Sequence, residues 1–178
     1  MPDYDYPEEP AGPFEAPPIE FEDREGRGIE IRVYDEADFD AVCEMYDTFD
    51  PADRAQGIPP AREERVRSWL DVILDEGQDV IAVDVSDDDE RVVGHATLVP
   101  DGDDATELAI FVHQDYQGAG IGSRLIRALL GHGEREGVEK VWLTVERWNH
   151  PAVGLYESVG FESSSVESFE LEMTLRLR

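Results

Sequence analysis

A strand, a turn with three alternating glycines and an amphipathic helix follow one another without a break between residues 105 and 130, and this junction constrains the fold more than any other stretch of the chain. Ala105–Val112 reads as the strand, since its residues alternate towards a run of β-formers. Gly118, Gly120 and Gly122 punctuate the turn. The helix starts at once, with Ile121, Leu125, Ile126, Leu129 and Leu130 at helical spacing. Glycines at such a junction leave backbone N–H groups uncovered and let a ligand approach the main chain. The first helical turn adds unsatisfied donors and partial positive charge. The combination suits a phosphate or pyrophosphate and needs no lysine.

Two familiar phosphate loops do not fit. A Walker loop ends in Gly-Lys-Ser/Thr, whereas here the glycines lead into Ser123 and Arg124. A dinucleotide fingerprint needs Gly-x-Gly-x-x-Gly after the first strand of a βαβ unit, and this loop lies well past mid-chain with a different glycine spacing. Taken alone, a glycine-rich turn before a helix can be merely a tight connection, so the reading needs a second motif.

That motif lies downstream. The strand 141–146 is followed by Asn149, Ala152, Tyr156 and the pair Gly160-Phe161. With Gln117-Gly118-Ala119-Gly120-Ile121-Gly122 ahead of it, the chain resembles the GNAT superfamily of acyl-CoA-dependent N-acetyltransferases. The first stretch corresponds to the family's Gln/Arg-x-x-Gly-x-Gly/Ala signature, and the second to its Asn, Ala, Tyr and Gly-Phe series. The resemblance covers roughly residue 28 to the C-terminus and is strongest over 107–161. It implies an α/β (α+β) architecture: a mostly antiparallel, seven-stranded mixed sheet with a central splayed parallel pair, flanked by about four helices. The order of elements is expected to be β-α-α-β-β-β-α-β-α-β-β, and a bulge is expected to help the parallel strands part.

The resemblance also implies the site. Acetyl-CoA, as cosubstrate, would lie between the strand 105–112 and the strand 141–146. Its pantetheine would meet the backbone of Ile110, Phe111 and Val112, and its pyrophosphate the amides from Gln117 through Gly118, Ala119, Gly120, Ile121 and Gly122 to Ser123. Asn149 and Tyr156 would stand beside the thioester. Direct attack by an amine needs a proton acceptor, oxyanion stabilisation and a proton donor for the leaving sulfur. Tyr156 is the expected general acid, because a tyrosine stays protonated at neutral pH. Glu107 is the expected base, with His113 and Glu146 as weaker alternatives; alternation puts Glu107, Ala109 and Phe111 on one strand face. Asn149 is the chain's only asparagine and can also cap the helix that carries Tyr156. A non-catalytic acyl-CoA-binding regulatory module is the alternative reading.

Composition sets the surroundings. The chain of 178 residues has 43 acidic against 15 basic residues, a formal net charge of −28, and Lys140 is its only lysine. Forty per cent of its residues are hydrophobic and they fall into periodic segments, so this is a folded acidic protein and not a disordered one. Such a surface suits a salt-rich cytoplasm, as in halophilic archaea, where molar salt shortens the Debye length to about 3 Å and screens self-repulsion. The charge argues against nucleic acid or an anionic membrane as partner. No run approaches membrane length and no secretory leader is evident, so a cytoplasmic location is expected. Cys43, the single cysteine, falls on an apolar helix face and reads as a core thiol. His95, His113, His132 and His150 show no metal-site spacing, and no metal is expected.

Residues 1–27 are acidic and proline-rich and read as a disordered tail, mobile or loosely draped, with the domain proper spanning 28–178. Within the domain, 28–34 reads as the first strand and Asp35 or Asp38 as the cap of a helix carrying Phe39, Val42, Cys43 and Tyr46. A loop, 48–60, leads to a second helix over 61–76. The acceptor, a small-molecule or peptide amine, would be held by these helices, by loop residues such as Phe49, Asp50, Asp53 and Arg54, by Trp69 and by the C-terminal hairpin. Exposed edges at the terminal strands leave a homodimer open.

Overall fold

The computed structural model describes residues 4–49, 63–102, 104–163 and 169–178. The strands are β1 (Ile19–Glu22), β2 (Gly28–Val33), β3 (Gln78–Asp84), β4 (Arg91–Pro100), β5 (Ala105–Val112), β6 (Lys140–Glu146), β7 (Glu162–Ser163) and β8 (Glu170–Arg176). The helices are α1 (Phe39–Asp47), α2 (Glu63–Glu76), α3 (Ile121–Arg135) and α4 (His150–Val159). From β2 onward the order is the expected one. Among the described residues one sheet runs β1-β2-β3-β4-β5-β6-β8-β7, with eight strands where seven were expected. The extra strand is β1, which pairs antiparallel with β2 from inside the presumed tail.

Alternation along the strands sorts the core into two layers. Val80 and Ala82 of β3 face α3 and α4, together with Val141 and Leu143 of β6. Ile81 and Val83, one residue out of phase, face α1 and α2. Ile121, Leu125, Ile126, Leu129 and Leu130 of α3 are all buried, each such side chain stabilising the fold by about 1.5–3 kcal/mol relative to exposure. On the other face Val42, Cys43 and Tyr46 of α1 are buried, and the Cys43 thiol is pushed up in pKa by that burial. Asp35 wins the capping role: its carboxylate accepts from Ala37 N–H at 3.0 Å while Asp38 accepts from Asp35 N–H at 3.1 Å, closing a capping box ahead of α1.

Residues 4–27 depart from the expected disordered tail. They run as a strap from the β8 side of the sheet, across α3, to the β1 edge. Thr174 Oγ1 donates to the Asp5 carbonyl at 2.8 Å and Arg176 Nε to the Pro7 carbonyl at 2.7 Å. Ala11 N–H donates to the Arg176 carbonyl at 2.7 Å. Ala11, Phe14, Ile19 and Phe21 then pack against the core. Where the strap crosses α3, a Cβ on Gly131 would come within 2.6 Å of the Glu15 carbonyl oxygen, so only glycine admits it there. The prolines that exclude a helix do not exclude an extended strap, and the interleaved apolar residues give it something to bury.

All neighbouring strands are antiparallel except β5 and β6. That pair matches only at Ala105↔Lys140, Thr106↔Val141 and Glu107↔Trp142, after which the strands part. The expected bulge is not on β5, whose register with β4 is unbroken from Gly94↔Val112 to Pro100↔Thr106. The irregularity lies between β3 and β4, at Ala82/Val83. What opens the cleft is the early end of pairing after Glu107.

Candidate acyl-carrier site

Beyond Glu107, the half of β5 that has lost β6 leads straight into the glycine turn. Ile110 and Val112 pack towards α3, and Phe111 points to the opposite layer against Tyr46 and Trp69, with ring centroids at 5.6 and 5.5 Å. Gly118 and Gly120 take left-handed conformations at φ 73° and 89°, which side-chain-bearing residues rarely adopt. Gly120 is the N-cap of α3, makes no side-chain cap bond, and the first turn carries no acidic residue. The turn is open at Gly118: among the described residues nothing lies within 4 Å of where its side chain would begin. This cradle fits an anion such as a pyrophosphate.

Two details were not legible from spacing. Gln117 spends its side chain on β5, donating to the Val112 carbonyl at 3.0 Å, so only its backbone N–H is left for the turn. Arg24, from the presumed tail, belongs to the turn: its N–H donates to the Ala119 carbonyl at 3.1 Å, and its Nε lies 3.6 Å from where a Gly120 Cβ would be. Asp23 holds this corner. It accepts from Glu25 N–H, Arg27 N–H and Arg27 Nε at 2.9, 2.9 and 2.8 Å. Burial alone would raise the Asp23 pKa, but the Arg27 and Glu25 hydrogen bonds outweigh it and lower it.

Of the residues expected around the reacting centre, Asn149 and Tyr156 come with α4 and Glu107 with β5. Asn149 is the N-cap of α4, its Oδ1 accepting from Ala152 N–H at 3.4 Å. Tyr156 sits two turns on, edge-on to Phe161 at 5.9 Å, and burial pushes its phenol up to about 12. Among the described residues its hydroxyl has no hydrogen-bond partner, and it keeps its proton at any physiological pH. Glu107 stands at the last paired position before the strands separate. Although its side chain is exposed, partial desolvation and then the charge of Asp101 raise its pKa, the direction a proton acceptor near neutrality needs.

The alternative bases are placed differently. His113 is buried, and its Nδ1 accepts from Asp115 N–H at 3.2 Å while Nε2 lies 3.0 Å from Thr48 Oγ1, so the ring ties β5 to α1. Glu146 ends β6 opposite Glu170. A second histidine forms a relay that spacing did not suggest: Tyr46 Oη, His95 and Asp79 are linked at 2.7 and 2.6 Å, all buried between β3, β4 and α1. The only hint was a histidine in the middle of an otherwise apolar strand. Among the described residues no group of side chains could hold a metal ion, and no helix is long and apolar enough to cross a membrane. Asp50, Asp53 and Arg54, expected in the acceptor site, lie outside the described residues; Phe49 and Trp69 line the α1–α2 layer.

Comparison with known proteins agrees with this geometry. The sequence model described as "Acetyltransferase (GNAT) family" matches residues 39–161. Over 64 residues the chain is 41% identical to the [ribosomal protein bS18]-alanine N-acetyltransferase of Escherichia coli K12, covering 36% of this chain and 43% of that protein. The chain thus matches less than half the length of that curated relative. Among solved structures, the GNAT domain of S. lividans PAT superposes with a TM-score of 0.71 at 14% identity, over 89% of this chain and 96% of the other. Spermidine N-acetyltransferase from Vibrio cholerae, solved with CoA and spermine, gives 0.66 at 18% identity, over 84% and 95%. At these identities the structures speak for the fold.

Proposed function

The chain belongs to the acetyltransferase (GNAT) family, and from that premise we propose that it transfers an acetyl group from acetyl-CoA directly to a primary amine. The observation that carries the proposal is the early end of β5–β6 pairing after Glu107, opening beside a left-handed glycine turn at the start of α3. Bound acetyl-CoA would supply an activated acetyl thioester.

The chain's own groups would divide the remaining work. The amides from Gln117 to Ser123 hold the pyrophosphate, aided by the positive end of α3 and by the Arg24 guanidinium. The freed backbone of Ile110, Phe111 and Val112 offers strand-like hydrogen bonds along the cleft. Asn149 fixes the start of α4, and so the position of Tyr156. Glu107 accepts the proton of the incoming ammonium, directly or through water, and Tyr156 donates one to the departing sulfur. With its pKa raised to about 12, Tyr156 is a proton donor and not a base at working pH. The surface, at −28, supports a salt-rich cytoplasm as the setting. Among the described residues no further strand pairs with the outer edges of β1 and β7, which suits a homodimer.

The test is release of free thiol from acetyl-CoA in molar KCl with a panel of primary amines and peptides. Turnover is expected, and Tyr156→Phe should lower kcat about 100-fold while leaving acetyl-CoA affinity unchanged. Acetyl-CoA binding with no thiol release for any amine would instead favour a non-catalytic acyl-CoA-binding module.

A further inference from the structure

The sheet face that carries Glu107 is covered unequally. α1 and α2 lie over its β4 side. Over β6 and β8, the described cover is the start of the strap. Register fixes which side chains meet it: Glu107 is level with Trp142, and Trp142 with Thr174. Arg176 lies two residues on, so all four share a face. The Tyr4 ring stacks on Trp142 with centroids 4.8 Å apart and planes 25° from parallel. Trp142 is held from below by its Nε1–H, which donates to Asp101 at 2.9 Å. Thr174 then takes the Asp5 carbonyl and Arg176 the Pro7 carbonyl.

These contacts have the character of a peptide-binding groove. An aromatic anchor holds one side chain, and two polar side chains take alternate main-chain carbonyls, a pattern that reads extended backbone more than sequence. The polarity is informative. The amino-terminal end of the segment lies on the Glu107 side, since Tyr4 stacks on Trp142 and Trp142 is level with Glu107; burial, and then the charges of Glu172, Glu107 and Asp101, raise the Tyr4 pKa. The chain then leaves towards Arg176, away from the cleft. Three carboxylates at the amino end suit a cationic α-amine.

The occupant is not ideally accommodated. Among the described residues the Tyr6 hydroxyl is buried without a hydrogen-bond partner, a cost that a permanent core contact would normally have relieved. The rest of the strap has no such defect in its polar anchoring at Asp23.

We propose that this half of the face is a groove for an extended polypeptide with its amino end towards Glu107, and that residues 4–7 fill it in cis until an acceptor displaces them. The idea rests on the acetyltransferase reading and narrows its acceptor to a polypeptide N-terminus. A bound strap lowers apparent acceptor affinity by the fraction of molecules in which the groove is open.

The experiment uses the full chain, wild type and Tyr4→Ala/Tyr6→Ala, titrated with a C-terminally labelled peptide of residues 4–11 bearing a free α-amine, and followed by fluorescence anisotropy. The loosened variant should bind the peptide at least tenfold more tightly than wild type, and Arg176→Ala in the same background should remove the gain. With acetyl-CoA present, mass spectrometry should find the acetyl group on the peptide's α-amine. Should the double variant fail to fold, Tyr4→Ala alone, which removes the ring stack on Trp142, is read the same way. Equal affinity of wild type and variant would overturn the groove, as would a peptide that binds but stays unacetylated while small amines turn over. Acetyl-CoA binding, measured separately by calorimetry on the same samples, keeps failure of the groove distinct from failure of the acetyltransferase reading.

Discussion

The two ends of the N-terminal strap are held by different means. At residues 19–27 the chain is architecture: β1 adds a strand to the sheet, Asp23 makes three hydrogen bonds in its own turn, and Arg24 reaches the glycine loop. At residues 4–7 it is a lodger, held by one ring stack, the Lys140 ammonium over the Tyr6 ring and two carbonyl contacts, while among the described residues the Tyr6 hydroxyl goes unsatisfied. The first end completes the loop that would bind the cofactor. The second covers the face from which an acceptor would come. One segment of unpromising composition thus touches both the glycine turn and the β6–β8 face, and how completely its polar groups are satisfied would distinguish a permanent contact from a replaceable one.

Substitutions can break that comparison. The largest effect should come from Asp23→Ala, which strips three hydrogen bonds from the anchored end; a loss of about 2 kcal/mol is expected, seen as a fall in Tm of roughly 6 °C. The sign of its pH dependence follows from the lowered pKa. The stability Asp23 contributes is present above the ordinary carboxylate range and is lost as pH falls through its folded value. Wild type should therefore lose its advantage over the variant in acid, as thermal melts at descending pH will reveal. Next in size, Arg24→Ala should weaken acetyl-CoA binding about tenfold, close to 1.4 kcal/mol, without lowering Tm; an unchanged Kd would remove Arg24 from the cradle. The smallest effect belongs to the lodger: Thr174→Val should cost about 1 kcal/mol or less by denaturant titration. A cost equal to that of Asp23→Ala would make residues 4–7 as structural as 19–27 and erase the contrast.

Much of this fold was legible because its defining signals are local. The run from β5 through the glycines to α3 declares itself within 31 residues, 105–135. The Asn149 cap likewise sits one residue ahead of α4. Alternation placed Glu107 and Phe111 on one face correctly, whereas the bulge expected near them lies between β3 and β4 instead. What stayed hidden depends on distance along the chain. The contact between Thr174 and Asp5 spans 169 residues, and prolines with carboxylates read locally as disorder whatever they later touch. Arg24 was overlooked for the same reason. The His95–Asp79–Tyr46 relay joins three elements, and no spacing rule links them.

The central claim is that the parted strands and the glycine turn form an acyl-CoA site, and calorimetric titration of the full chain with acetyl-CoA in molar KCl tests it most directly. Saturable binding is predicted, and it should be lost when the nucleotide phosphates are removed, leaving a pantetheine fragment. A folded sample that takes up no acetyl-CoA, or binds the fragment equally well, would contradict it and leave the glycines as a tight turn before a helix.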